Sequence, residues 1–448
     1  MRRLFPALVL LLGCWTGPVL AQELKIDRHS LSNGLTVYTH EDHTAPLMSF
    51  YVFYKVGSVN ERIGITGVSH LFEHMMFNGS SRYKPKEFDF KLEGAGGSSN
   101  GYTDRDMTVY LETFPPEALD LVLDLESDRM ATLAITSQNL EQERGIVKEE
   151  RRLRTDNDNE GKLDELLYLL AYVSHPYRNP VVGFMDDLEH ITLEDTKAYY
   201  ATHYTPNNAI VVITGDFRTP EVMTKVRKAF EPVKQGPTVP AVYGFEPVQE
   251  GERRATLERE AELPMLMIGW HVPGAPQEAE VAALDVLQTV LSRGESSRLY
   301  QSLIYRTELA AQVQAFNYTL RGPALFTIAL QVAPDKKVEE AEAALYRELE
   351  ALATTPIDAA ELQTARNQLR ADAFRSLQTM DGRANQIGVH ALVYGDPTAL
   401  KRLIALREKV TAADVQRVAK QYFTRENRTV ITLIPQKSVG QVLSLIHI

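Results

Sequence analysis

The segment His70-Leu71-Phe72-Glu73-His74 sets two imidazoles four positions apart, with a carboxylate between them. On a helix, positions i and i+4 lie one above the other on the same face, so both rings can ligate one cation while Glu73 stands beside it. The chemistry this predicts is metal-assisted hydrolysis, in which a cation polarises the substrate and a carboxylate moves a proton. The competing reading is a helix with two ordinary surface histidines.

With 11 His in the chain, a His-x-x-Glu-His pattern arises by chance in roughly one chain in fifty of this length. The surrounding residues strengthen it. Val68, Leu71, Phe72, Met75 and Met76 follow the spacing of a core-facing helical stripe. The stripe predicts a helix from about Thr66 to Asn78, ended by Gly79 as its C-cap, with His70, Glu73 and His74 turned toward a cleft. The order inverts the more familiar His-Glu-x-x-His, and both orders are zinc-peptidase signatures.

A catalytic zinc usually takes three protein ligands and keeps one position open. Ser137 to Arg154 reads as a helix with Glu143, Ile146, Val147 and Glu150 on one face. A carboxylate in a partly apolar stripe needs a partner, and a metal is one. The alternative is that Glu143, Glu149 and Glu150 form the acidic half of a solvated run ending in Arg151, Arg152 and Arg154.

These residues resemble the M16 family of zinc peptidases, the inverzincins related to pitrilysin and the mitochondrial processing peptidase, over nearly the whole chain. The family carries His-x-x-Glu-His followed about 75 residues later by a Glu ligand in a Glu-Arg-rich helix. Here 75 residues lie between His74 and Glu150, and Glu143 to Glu150 stands at that place. Further similar segments are Gly96-Gly97-Ser98-Ser99-Asn100 running into Tyr102-Thr103, His175-Pro176-Tyr177, and Asn207-Asn208. The resemblance implies that His70, His74 and Glu150 bind Zn²⁺, that Glu73 is the general base, and that Glu143 supports the site. It also implies an endopeptidase for extended or unstructured peptides, which pair with a sheet edge near Gly96, Gly97, Ser98, Ser99 and Asn100. Read alone, Gly96-Gly97 is a plain turn. His175, Pro176 and Tyr177 read as structural. The alternative function is a non-catalytic relative that binds peptides or a partner.

The chain also repeats itself. Thr192 to Gly215 aligns with Thr411 to Pro435 at an offset of 219 residues. Residues 22–231 and 252–437 then form two homologous domains, joined by a Pro- and Gly-rich linker at 232–251 and followed by a tail at 438–448. In the second copy the positions of His70, Glu73 and His74 fall near Asp285, Gln288 and Thr289, and that of Glu150 at Gln368 or Leu369, so it holds no metal site. Many family members carry an Arg and, seven residues on, a Tyr in this half. Here Ile304 and Ala311 stand there, with Arg306 nearby. The expectation is a zinc subunit whose metal-free homologue supplies the Arg and Tyr in a heterodimer, or else a homodimer.

Residues 1–21 combine Arg2 and Arg3, an apolar run and an Ala21 cleavage position, which predicts export, most simply to a periplasm. A lipoprotein box at Leu11 to Cys14 is the rival reading, with Cys14 acylated. Cleavage after Ala21 removes the only cysteine and moves the formal charge of −11 by the two lost arginines to −13. An acidic chain with no basic patch argues against nucleic acid. No transmembrane segment is expected in the mature chain, because the apolar run is short of the about 20 residues a span needs. Alternation at Met48, Phe50, Val52, Tyr54 and Val56, with further strands at Thr108 to Thr113, Ile210 to Thr214 and Ala324 to Val332, gives an α+β fold of antiparallel-rich sheets covered by helices.

Overall fold

Alternation at Met48, Phe50, Val52 and Tyr54 does produce a strand, but all seven residues of Met48–Tyr54 are buried, not every second one. The architecture supplies the reason. The computed structural model describes residues 24–436; residues 1–21 with Cys14, expected from the sequence to direct export, and the expected tail 438–448 lie outside the described residues. Its strands are β1 (Asp27–Ser30), β2 (Thr36–Glu41), β3 (Met48–Tyr54), β4 (Ser98–Thr103), β5 (Thr108–Phe114), β6 (Ala209–Gly215), β7 (Arg253–Arg259), β8 (Met265–Val272), β9 (Ala310–Asn317), β10 (Ala324–Val332) and β11 (Arg428–Pro435). They form two sheets, ordered β1-β2-β6-β3-β5-β4 and β7-β11-β8-β10-β9. Each has one parallel pair, β2 with β6 and β7 with β11, and is otherwise antiparallel. The fold is thus α+β and antiparallel-rich, as the sequence predicts.

The helices are α1 (Val68–Met75), α2 (Glu87–Gly94), α3 (Leu119–Thr132), α4 (Ser137–Arg151), α5 (Asn159–Ala171), α6 (Met185–His190), α7 (Leu193–His203) and α8 (Thr219–Phe230) in the first half. The second half holds α9 (Glu278–Ser292), α10 (Val338–Thr354), α11 (Ala359–Arg375), α12 (Met380–Val393), α13 (Ala399–Lys409) and α14 (Ala412–Tyr422). The repeat is visible at the level of local chemistry. The Thr192 and Asp195 side chains form a capping box at the start of α7, and Thr411 and Asp414 do the same for α14.

One face of the first sheet packs on its own helices, with Phe50, Val52 and Tyr54 meeting Leu71 and Phe72 of α1 and Val122 of α3 in one core. The other face, carrying Tyr51, Phe53, Ile210 and Val212, is covered by Ala384, Ile387, Ala391 and Leu392 of α12, from the second half. The exchange is reciprocal. Leu163, Leu167 and Ala171 of α5, from the first half, sit in the core of the second sheet beside Ile268, Trp270 and Ile431. Each sheet is therefore sandwiched between its own helices and one helix lent by the other half, which buries both faces of its central strands.

The loan requires a close approach at Gly388, where an added Cβ would stand 1.9 Å from a ring carbon of Phe53. Gly145, mid-way along α4, has nothing within 4 Å of that position. Gly388→Ala should therefore lower stability by about 1–3 kcal/mol through overpacking. Gly145→Ala should raise it by about 0.5–1 kcal/mol through helix propensity. Urea unfolding midpoints of the two variants check both signs.

Candidate metal centre

The stripe that defines α1 is buried as expected, with Val68, Leu71, Phe72, Met75 and Met76 all at 1 % exposure or less. The helix is shorter than 66–78, because the chain enters it through Gly67 at φ 84, a left-handed conformation no helical residue adopts. Gly79 does turn the chain, at φ 93. The buried Glu61 carboxyl accepts the N–H groups of Gly67 and Ser69 at 2.7 and 2.8 Å, satisfying orphan donors of the helix start, while burial raises its pKa to about 8.

α4 packs across α1 with Leu140, Glu143, Val147 and Arg151 buried. At 100° per residue that arc puts Ile146 on its edge, and Ile146 is 45 % exposed, contrary to its expected place in the stripe. Glu150 stays on the inner side. Immediately after α4, Arg152–Asp156 widens into a π-helical turn.

The two helices bring His70, His74 and Glu150 together, and among the described residues they are the one group of three whose ligand atoms all lie within 4.8 Å of each other. Glu150 Oε2 stands 3.6 Å from His70 Nε2 and 3.2 Å from His74 Nε2. Tetrahedral ligands on bonds of about 2.0–2.2 Å are about 3.3–3.6 Å apart. Two imidazole nitrogens and one carboxylate oxygen at this separation fit a zinc ion. Burial, and then the neighbouring His74, hold the His70 pKa down, which keeps that ring neutral as a ligand must be. Burial opposes charge on His74, but hydrogen bonds with Glu143 and Glu150 outweigh it and raise its pKa to about 9. The His74 bond, against burial, holds Glu150 well below the carboxylate range.

Glu143 lies behind the triad. Its Oε2 is 3.5 Å from His74 Nδ1, and Asn78 donates to its other oxygen. It is thus placed to fix the ring of His74 with Nε2 turned to the site. His70 Nδ1, by contrast, is buried with no hydrogen-bond partner among the described residues. Glu73 is not in the triad. It accepts a 2.7 Å hydrogen bond from Thr103 Oγ1 of β4, and its burial raises its pKa.

A cavity of about 640 Å³ opens on these groups, lined by His70, Glu73, His74 and Glu150 and reaching Asn100 and Gly101. Of the five residues expected to hold substrate, Asn100 lines the cavity. Ser98 and Ser99 begin β4, which is the free edge of the first sheet, and Ser99 donates to Asp89. Gly96, at φ 82, and Gly97 form the preceding turn. His175 and Tyr177 act structurally: the ring of His175 accepts the Tyr177 N–H, and the Tyr177 hydroxyl donates to Asp106. The cavity lining comes from residues 70–182 alone. Ile304 packs against the second core, and Arg306 pairs with Glu348 at 3.8 Å. In the second half, Asp285 pairs with Arg407 and bonds Asn317, while Thr289 and Gln368 share a separate, smaller cavity. Thr103, Asn78, Arg105 and Arg178 complete the first site without any spacing in the sequence to mark them.

The geometry has counterparts. Residues 36–183 match the family described as Insulinase (Peptidase family M16), and residues 190–369 match Peptidase M16 inactive domain. The chain is 33 % identical over 410 residues to the Zinc protease PqqE of Helicobacter pylori, covering 91 % of this chain and 92 % of that one. It is 28 % identical over 408 residues to the probable mitochondrial-processing peptidase subunit beta of Arabidopsis thaliana, covering 88 % and 75 %. The crystal structure of a protease from Helicobacter pylori superposes with a TM-score of 0.88 at 32 % identity, over 92 % of this chain and all (100 %) of that one. The periplasmic protease PqqL from Escherichia coli shares the fold at a TM-score of 0.75 and 17 % identity, over 94 % of this chain and 49 % of its own. Since the matched regions take in most of the chain and the Helicobacter relative spans both of them, this protein is a member of peptidase family M16.

Proposed function

We propose that the chain is a zinc-dependent endopeptidase that hydrolyses extended or unstructured peptides. The observation that carries this reading is the meeting of His70, His74 and Glu150 at zinc-ligand separations, in a cavity that also holds Glu73 and abuts the free edge of β4. A zinc ion held by the three would polarise the scissile carbonyl and lower the pKa of a water toward about 7. Glu73 takes the proton of the attacking water and returns it to the leaving amine. Its raised pKa suits both transfers, and the Thr103 hydroxyl holds its carboxylate in place. Glu143 keeps His74 oriented. The free N–H and C=O groups of β4 give a substrate backbone its partners, so recognition there depends little on side chains. Export to a periplasm fits the sequence of residues 1–21.

A second reading has its own support. Ile304 and Ala311 occupy the positions of the family's Arg and Tyr, and the cavity lining includes nothing from the second half. We propose on this basis that full activity requires a metal-free homologue that contributes those two side chains. A purified chain that is fully active as a monomer would refute this.

Glu73→Gln should leave zinc content at that of the wild type and reduce kcat on a quenched-fluorescence peptide by about 10²–10⁴-fold. His70→Ala should lose the metal itself, as measured by atomic emission. Retained turnover in Glu73→Gln would sink the assignment of the base. Glu143→Gln removes the charge behind His74 and should weaken zinc affinity by about 10–100-fold, read by competition with a chelating dye. Chelation should abolish hydrolysis while leaving the far-ultraviolet circular dichroism unchanged. A spectrum that collapses on chelation would point to a structural metal and against this reading.

A further inference from the structure

Among the charged groups that line the cavity, Glu73 is held by the Thr103 hydroxyl and most of the others pair with one another. Arg154 pairs with Glu150 Oε1 at 3.0 Å, and Arg105 faces Asp164 at 3.9 Å. Glu165 is held by Arg151 and Lys162 at 2.7 and 2.8 Å. Arg178 also lines the cavity and is half-buried, yet among the described residues its guanidinium has no carboxylate and no hydrogen-bond acceptor. The planar fork of a guanidinium matches a carboxylate.

The residue sits on a braced turn. Pro176–Arg178 is a single 3-10 turn, and its Tyr177 hydroxyl donates to Asp106 Oδ1 at 2.7 Å and accepts the Gly322 N–H at 3.0 Å. Arg105 Nε donates to the Tyr177 carbonyl at 3.4 Å, and its guanidinium lies 3.4 Å above the Tyr168 ring. A second cation therefore stands beside the turn. Both guanidinium groups belong to the wall of the cavity that holds Glu73.

We infer that Arg178 is a specificity-determining residue that binds a carboxylate of the peptide lying in the cavity. This rests on the peptidase reading above and adds to it the chemical class of substrate: peptides bearing a carboxylate at one fixed place, supplied by an acidic side chain or by a free C-terminus. A charge-assisted bond of this kind corresponds to roughly 10–100-fold in affinity.

The test is fluorescence anisotropy on the mature chain carrying Glu73→Gln, so that binding is read without cleavage. The probes are labelled Ala/Ser/Gly decapeptides in which one Glu is moved along the positions, each with its Gln counterpart and with a free or amidated C-terminus. The expected result is a gain of about 10–100-fold that Arg178→Gln abolishes and Arg178→Lys partly retains, with the neutral, amidated peptide bound equally by all three. A gain that follows the position of Glu identifies a side chain as the source; one that follows the free terminus identifies the C-terminus. Equal binding of Glu, Gln, free and amidated probes overturns the inference, as does a gain that survives in Arg178→Gln or failure of every probe to bind. Turnover of the same probes by the wild type, alone and with its co-purifying homologue, is scored separately: a carboxylate preference without turnover in either case refutes the peptidase reading alone, and turnover without preference refutes the role of Arg178 alone.

Discussion

The way α1 is pressed onto the first sheet governs everything at the candidate centre. Burying a Leu or Phe side chain contributes about 1.5–3 kcal/mol. Val68, Leu71, Phe72 and Met75 are all buried on one face. That sum fixes the rotation of the helix, and the 100° step between residues then aims positions 70, 73 and 74 at the opposite side. Tyr110, from β5, adds a specific pin by donating to the Phe72 carbonyl at 2.9 Å. The imidazoles are oriented by the same packing that folds the domain.

Two of the places where the first half draws carboxylates out of water resolve the electrostatics differently. Under the sheet, Glu112 and Glu126 share the buried Arg129, with contacts of 2.9 Å to each and the guanidinium stacked near Phe88 and Tyr110. That cluster carries its own cation. Where α1 meets α4, Glu143 and Glu150 face two imidazoles instead, and the one guanidinium close by, Arg154, is 76 % exposed and touches the outer oxygen of Glu150. Ionised groups drawn together out of water need compensation. A divalent cation held at the centre of the triad would supply it there, as Arg129 supplies it under the sheet.

Local periodicity made much of this legible in the sequence. The stripe of α1, the strands at Met48, Thr108, Ile210 and Ala324, and the duplicated capping boxes at Thr192 and Thr411 are all encoded within one or two turns of chain. The meeting of His70, His74 and Glu150 was legible from two helix faces together with a family resemblance, not from periodicity alone. What escaped depends on tertiary partners. Nothing near Tyr51 or Phe53 says that α12 will cover them, and nothing in the Glu143 stripe says that Ile146 will fall outside the contact with α1. Thr103 lies in a segment that resembles the family, but nothing in the sequence says that it will hold Glu73, and no spacing announces Arg178.

The second half shows which residues the fold itself requires. Gly161 and Gly382 stand at matching places three residues after the N-caps of α5 and α12, each against a preceding carbonyl that a Cβ would approach to 1.9 and 2.1 Å. The scaffold thus repeats down to single glycines. The chemistry does not: on α9 the place of the first imidazole holds Asp285, already paired with Arg407. Since the duplicated scaffold tolerates either set of side chains at this contact, His70, His74 and Glu150 are not there to hold the helices together. The second half bears on the first site by another route. Its α12 lies against β3 and β6, and Asn385 on that helix accepts a 2.9 Å hydrogen bond from Tyr102 of β4. Tyr102 neighbours Thr103, which holds Glu73. The second half therefore braces the strand whose Thr103 holds Glu73, a mechanical role that requires no ligand of its own.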